Sequence, residues 1–149
     1  MKNYIEETVN ELIDKYNTRD PFEILENLGV FVEFNCELDS LKGFYTVVNG
    51  VRFVVINSNL SEEEQRVVAA HELGHCCLHQ HFAENSQLCE IMIYDMKSKP
   101  EYEANLFAGI LLIPDEDIKE ATNLGYCPEQ MAAFLNTNIK LLDIRLNSK

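Results

Sequence analysis

The run His71-Glu72-Leu73-Gly74-His75 sets two imidazoles four residues apart with a carboxylate between them. Residues four apart on a helix share a face, so both rings can turn a nitrogen toward one ion. Glu72 stands one step round the helix, close enough to hydrogen-bond a water held by that ion without displacing it. Zinc suits such a pair: it brings the pKa of a bound water down to about 7, and a carboxylate can take the proton as the water attacks a carbonyl. The spacing predicts one zinc per chain, with His71 and His75 as ligands and Glu72 as the general base.

A catalytic zinc needs three protein ligands and one open position. Two acids lie within reach downstream, in Glu101-Tyr102-Glu103-Ala104-Asn105-Leu106-Phe107-Ala108. Helical phase separates them. Glu103 precedes Leu106 and Phe107 by three and four residues and so shares the apolar face that continues through Ile110 and Leu111. A carboxylate on a buried face is costly without a partner, and a metal is one. Glu103 is therefore the expected third ligand, and Glu101, two positions off that face, is read as a solvated surface acid. His79 extends the histidine stripe by four more residues and His81 follows it. As a fourth ligand His79 would close the open position, so it is expected beside the ligands or at the helix end, where the dipole favours it. Gly74 costs about 1 kcal/mol against alanine in a helix interior, which points to close approach by another backbone.

These residues need a helix to carry them. Ser61 and Glu64 form a capping box, with Glu62 and Glu63 also in the favoured first turn, so a helix should start near Glu62 and run to about Leu78. Ser98-Lys99-Pro100 opens a second one that ends before Pro114. Upstream, residues 4–16 have helical apolar spacing, and Asp20-Pro21 starts a short helix that Gly29 ends. Residues 30–34, 43–48 and 51–56 read as strands, the last two joined by the hairpin dipeptide Asn49-Gly50. Residues 81–97 read as a loop with a short strand around Ile91, Met92 and Ile93. Residues 115–123, 128–135 and 139–146 read as three short helices. The expected architecture is α+β: one zincin-like domain over residues 1–149, with a short antiparallel sheet packed on the pentapeptide helix and on a second ligand-bearing helix, and a helical C-terminus. No repeat or low-complexity tract interrupts it.

Composition narrows the function classes. A chain of 149 residues that is 46% hydrophobic and 25% charged can bury a core without disulfides. Five cysteines, with no C-x-x-C pair, are expected as reduced core thiols, which suits a reducing compartment. No apolar run approaches the length of a membrane span, and the N-terminus turns acidic too early for a secretory signal. A cytoplasmic location is expected. The net charge of −13 opposes a phosphate backbone, so direct nucleic-acid binding is not expected, while a basic protein partner is favoured on encounter.

The pentapeptide, together with Asn57 upstream, Leu78-His79, Glu103-Ala104-Asn105-Leu106-Phe107-Ala108 and Leu111-Leu112-Ile113-Pro114, resembles the ImmA/IrrE family of metallopeptidases. The likeness extends loosely to Asp20-Pro21-Phe22 and Arg145-Leu146; residues 66–69 depart from it, since a Thr often precedes the motif in that family. The resemblance implies a bacterial, phage or mobile-element endopeptidase that cleaves a helix-turn-helix repressor, with zinc on His71, His75 and Glu103 and Glu72 as base. The rival is a zinc-stabilised module that antagonises a repressor by binding it uncut. Retention of Glu72 speaks for the peptidase, because a structural zinc has no use for a base and tends to take cysteine ligands. Residues 51–56 are a candidate edge for a substrate strand, with an interior place in the sheet as the equal alternative. Tyr45, Tyr94, Tyr102 and Tyr126 all stay open as oxyanion-stabilising groups.

Overall fold

The computed structural model describes residues 2–79 and 98–148. Helix α1 (Lys2–Tyr16) buries Ile5 and Val9 and leaves an acidic face outside. In α2 (Pro21–Asn27) the Asp20 carboxylate accepts from the Phe22 N–H at 2.9 Å, and Pro21 occupies the first turn, where no N–H is needed. Strands β1 (Phe31–Asn35), β2 (Gly43–Val48) and β3 (Val51–Asn57) follow. Asn49 and Gly50 both take positive φ, 51° and 78°, as a two-residue hairpin turn between twisted strands requires.

The sheet order is β1-β3-β2, and it is mixed. The hairpin pairs β2 with β3 antiparallel, as expected, but β1 pairs with β3 in parallel, Phe31 opposite Phe53. Two reversals of direction return β3 to the heading of β1, and it inserts between its predecessors. β3 is thus interior, and the strand read as a candidate edge for substrate has both sides occupied. Its residues Val54 and Ile56 enter the core, while Asn57 donates to the carbonyls of Asp39 and Leu41 and so ties the loop before β2 to the start of the next helix.

That helix, α3 (Glu62–Leu78), starts where the capping box puts it, with Ser61 Oγ accepting from the Glu64 N–H at 3.2 Å. Helix α4 (Lys99–Leu112) starts with Ser98 accepting from the Glu101 N–H. The two cross closely at Gly74. A Cβ there would stand 3.1 Å from Ala104 Cα and 3.2 Å from Phe107 Cβ, so the missing side chain sets the distance between the helices. Helices α5 (Asp115–Asn123), α6 (Pro128–Phe134) and α7 (Ile139–Asn147) complete the described chain. The carbonyls at the C-terminal end of α4 would otherwise lack partners. Arg19 donates to those of Ile110 and Leu111, and Arg145 to that of Ile113.

One apolar cluster joins α1, the sheet, α3, α4 and the C-terminal helices. Among the described residues no helix is long and apolar enough to cross a membrane. The four described cysteines are thiols, but only Cys76 lies in the core; Cys36 and Cys127 are exposed, because they fall in the turns after β1 and before α6. The expected strand at Ile91, Met92 and Ile93, with His81, Cys89 and Tyr94, lies outside the described residues.

Candidate metal centre

Helix α3 turns His71 and His75 toward α4, as their spacing requires, with ring centroids 4.8 Å apart. The carboxylate that meets them is Glu101, from the first turn of α4. Its Oε2 lies 3.0 Å from His71 Nε2 and its Oε1 2.8 Å from His75 Nε2. His71, Glu72 and Glu101 are fully buried, and His75 is 7% exposed. The outer ring nitrogens are also engaged. His71 Nδ1 lies 2.9 Å from Asn105 Oδ1, and His75 Nδ1 lies 3.0 Å from His79 Nδ1.

These contacts test whether a cation fits. The Asn105 oxygen can only accept, so the His71 proton belongs on Nδ1 and its Nε2 presents a lone pair to Glu101. A lone pair facing a buried carboxylate oxygen at 3.0 Å is repulsive unless positive charge stands between them. Two imidazoles and a carboxylate, with donor atoms all within 4.8 Å of one another, are a zinc-type set of three ligands. Glu72 supplies the second sign. Both of its carboxylate oxygens are buried with no hydrogen-bond partner among the described residues, and Oε1 lies 3.9 Å from His71 Nε2. A metal and its water would satisfy all of these groups.

The charges of the side chains alone point the same way. Burial lifts the Glu72 carboxyl to about 8, against the opposing pull of His71. Glu101 is buried too, yet the imidazoles of His71 and His75 set against its two oxygens outweigh burial and hold it down at about 2. Burial presses His71 downward, but Glu101 and Glu72 overcome it and its net shift is up. For His75 burial wins, helped by repulsion from His71 and His79, and the shift is down. The two partners of the same carboxylate thus shift in opposite directions: Glu72 and Asn105 add to its pull at His71, whereas two neighbouring imidazoles oppose it at His75.

Residues 25–147 match a peptidase family described as the IrrE N-terminal-like domain. The chain belongs to that family. It is 31% identical to "Uncharacterized immunity region protein 2" of Bacillus phage phi105 over 142 residues, 95% of this chain and 88% of the relative. It is 28% identical to "Metallopeptidase ImmA" of Bacillus subtilis (strain 168) over 145 residues, 96% and 84% of the two chains. Membership makes the chain a metallopeptidase acting on protein, and the α+β arrangement of its His71, His75 and Glu101 cluster is zincin-like.

The structure of this IrrE-like chain sets the two candidate acids in different places. Glu103 does not join His71 and His75; it lies 3.2 Å from His79 Nε2, on the flank of the cluster. Glu101, read as a surface acid, occupies the expected place of Glu103 and is fully buried. Every residue of α4 from Ala104 to Leu111 is buried, so the helix has no single apolar face, and phase measured from Leu106 and Phe107 carries no direction. The crossing at Gly74 decides instead. It seats Ala104 against α3 and brings Glu101 and Asn105, four apart, to the histidines. A glycine inside the pentapeptide facing small residues downstream was the available signal, and it would have found Asn105 as well. Of the tyrosines left open, Tyr45 is buried, Tyr102 is exposed and Tyr126 packs on Phe134.

Proposed function

We propose that this metallopeptidase is a zinc-dependent endopeptidase that cleaves a helix-turn-helix repressor, working as one domain in the cytoplasm. His71, His75 and Glu101 hold the zinc and Glu72 is the base. The observation that carries the reading is the convergence of His71, His75 and Glu101 around a point beside the unpartnered Glu72 carboxylate. Bound there, zinc would supply a Lewis acid and lower the pKa of water to about 7. Beside that charge the buried Glu72 carboxylate would take a proton from the attacking water and pass it to the leaving amine. The burial of His71, Glu72 and Glu101 excludes bulk water from the base.

Two observations support the repressor as substrate. The relatives include a phage immunity-region protein and a protein named ImmA. The net charge of −13 complements the basic surface of a DNA-binding domain. The test is incubation of the purified zinc-loaded chain with the repressor encoded beside it, for the parent and for Glu72→Gln. Gln keeps the size of Glu but cannot take the proton, so cleavage should fall at least about a hundredfold while zinc content and repressor binding persist. A repressor left full length by the parent, yet released from its operator equally by both, would replace the peptidase with the binding module.

A further inference from the structure

The chemistry proposed above leaves the Glu103–His79 pair without a task, although His79 is only 5% exposed. The pair has a direction. A carboxylate can only accept, so at 3.2 Å from Glu103 Oε1 the proton of His79 belongs on Nε2. His79 Nδ1 is then bare, and it accepts from His75 Nδ1–H across 3.0 Å. That in turn leaves His75 Nε2 with its lone pair, on the side where Glu101 Oε1 lies 2.8 Å away. Run the other way, the chain would put a proton on His75 Nε2, the atom a cation needs, and would set two acceptors face to face at Glu103.

We propose that Glu103 and His79 are positioning residues: a directed hydrogen-bond chain, Glu103 to His79 to His75, that fixes the His75 tautomer and ring so that Nε2 is presented to the metal. The inference rests on the reading of His71, His75 and Glu101 as the metal cluster. It adds residues that touch neither metal nor substrate. It also accounts for His79 at the end of α3. A histidine that only interacted with the helix terminus would have no reason to bring Nδ1 against Nδ1 of a ligand, with a carboxylate from another helix behind it. Partners of this kind hold ligand orientation, and their loss commonly weakens metal binding by about 10–100-fold.

The experiment uses the full zinc-loaded chain. Long-range proton–nitrogen spectra of the imidazoles should show His75 protonated on Nδ1 and His79 on Nε2. Chelator competition should show Glu103→Leu binding zinc about 10–100-fold more weakly than the parent. Glu103→Gln, whose amide oxygen can accept the same hydrogen bond, should recover most of that loss and keep the His79 tautomer. His71→Ala is the control for the underlying reading and should lose zinc altogether. If His71→Ala loses zinc while His79 of the parent carries its proton on Nδ1, or Glu103→Leu holds zinc as tightly as the parent, the positioning role is overturned and the metal cluster stands. Should His71→Ala retain its zinc, the cluster itself is misassigned. The parent spectra decide the tautomers even if Glu103→Leu fails to fold.

Discussion

His71 and His75 leave the same helix four residues apart and meet the same carboxylate, yet the nitrogens behind them find different environments. Behind His71 is a neutral amide, Asn105, in a wholly enclosed position. Behind His75 is a second imidazole and then a carboxylate, in a shallower position where the Glu103 side chain keeps 13% of its exposure. Depth accounts for the difference. A further charge beside His71 would have to be stripped of water next to two buried carboxylates, whereas near the surface Glu103 retains some hydration. An imidazole can be oriented by a dipole where charge is too costly, and by a charged chain where it is not.

The largest effects should come from the atoms the two flanks share. His71→Ala and His75→Ala should each drop the metal from close to one zinc per chain to nearly none after gel filtration, and Glu101→Ala should lose far more than Glu103→Ala. Elemental analysis that ranked the two glutamates in the reverse order would return the third position to Glu103. A smaller contrast is expected in the metal-free chain. Asn105→Leu leaves His71 Nδ1 without an acceptor in a fully buried site, at a cost of about 1–3 kcal/mol. Glu103→Leu should cost less, because water can reach His79 in its place. Urea denaturation with chelator present measures both, and equal costs would mean that depth does not separate the flanks. The smallest effect should come from Gly74→Ala, which perturbs both flanks at once. The better helix former gains about 1 kcal/mol, but the added Cβ crowds the Ala104 backbone and such overpacking costs about 1–3 kcal/mol. The net should be a loss of about 1 kcal/mol by the same denaturation measurement, together with weaker zinc binding.

What the sequence made legible was local. The capping oxygens of Asp20, Ser61 and Ser98 bond to backbone within three residues, and Asn49-Gly50 fixes its turn by its own backbone preferences. Signals of that range survive reading one residue after another, and they located α3 and the His71, Glu72 and His75 face on it. The misplaced features depend on contacts between distant segments. The parallel pairing of β1 with β3 is decided by what fills the third place in a sheet, not by either strand's composition. That Glu101 rather than Glu103 lies against the histidines is decided by a crossing point on another helix, which periodicity within α4 could not reveal because that helix is enclosed on nearly all sides.

The arginine caps on α4 have a consequence for the order in which the chain is made. Arg19 is synthesised 91 and 92 positions before the carbonyls of Ile110 and Leu111 that it holds. Arg145 arrives 32 positions after Ile113. On a growing chain the helix that bears Glu101 is therefore braced from behind as it emerges, and fully closed only once α7 has left the ribosome and docked. A polypeptide interrupted before Arg145 would contain His71, Glu72, His75 and Glu101 and still lack the last brace on the helix that brings Glu101 to the others. In a metallopeptidase, that order withholds the last brace on the Glu101-bearing helix until α7 has been made and has docked.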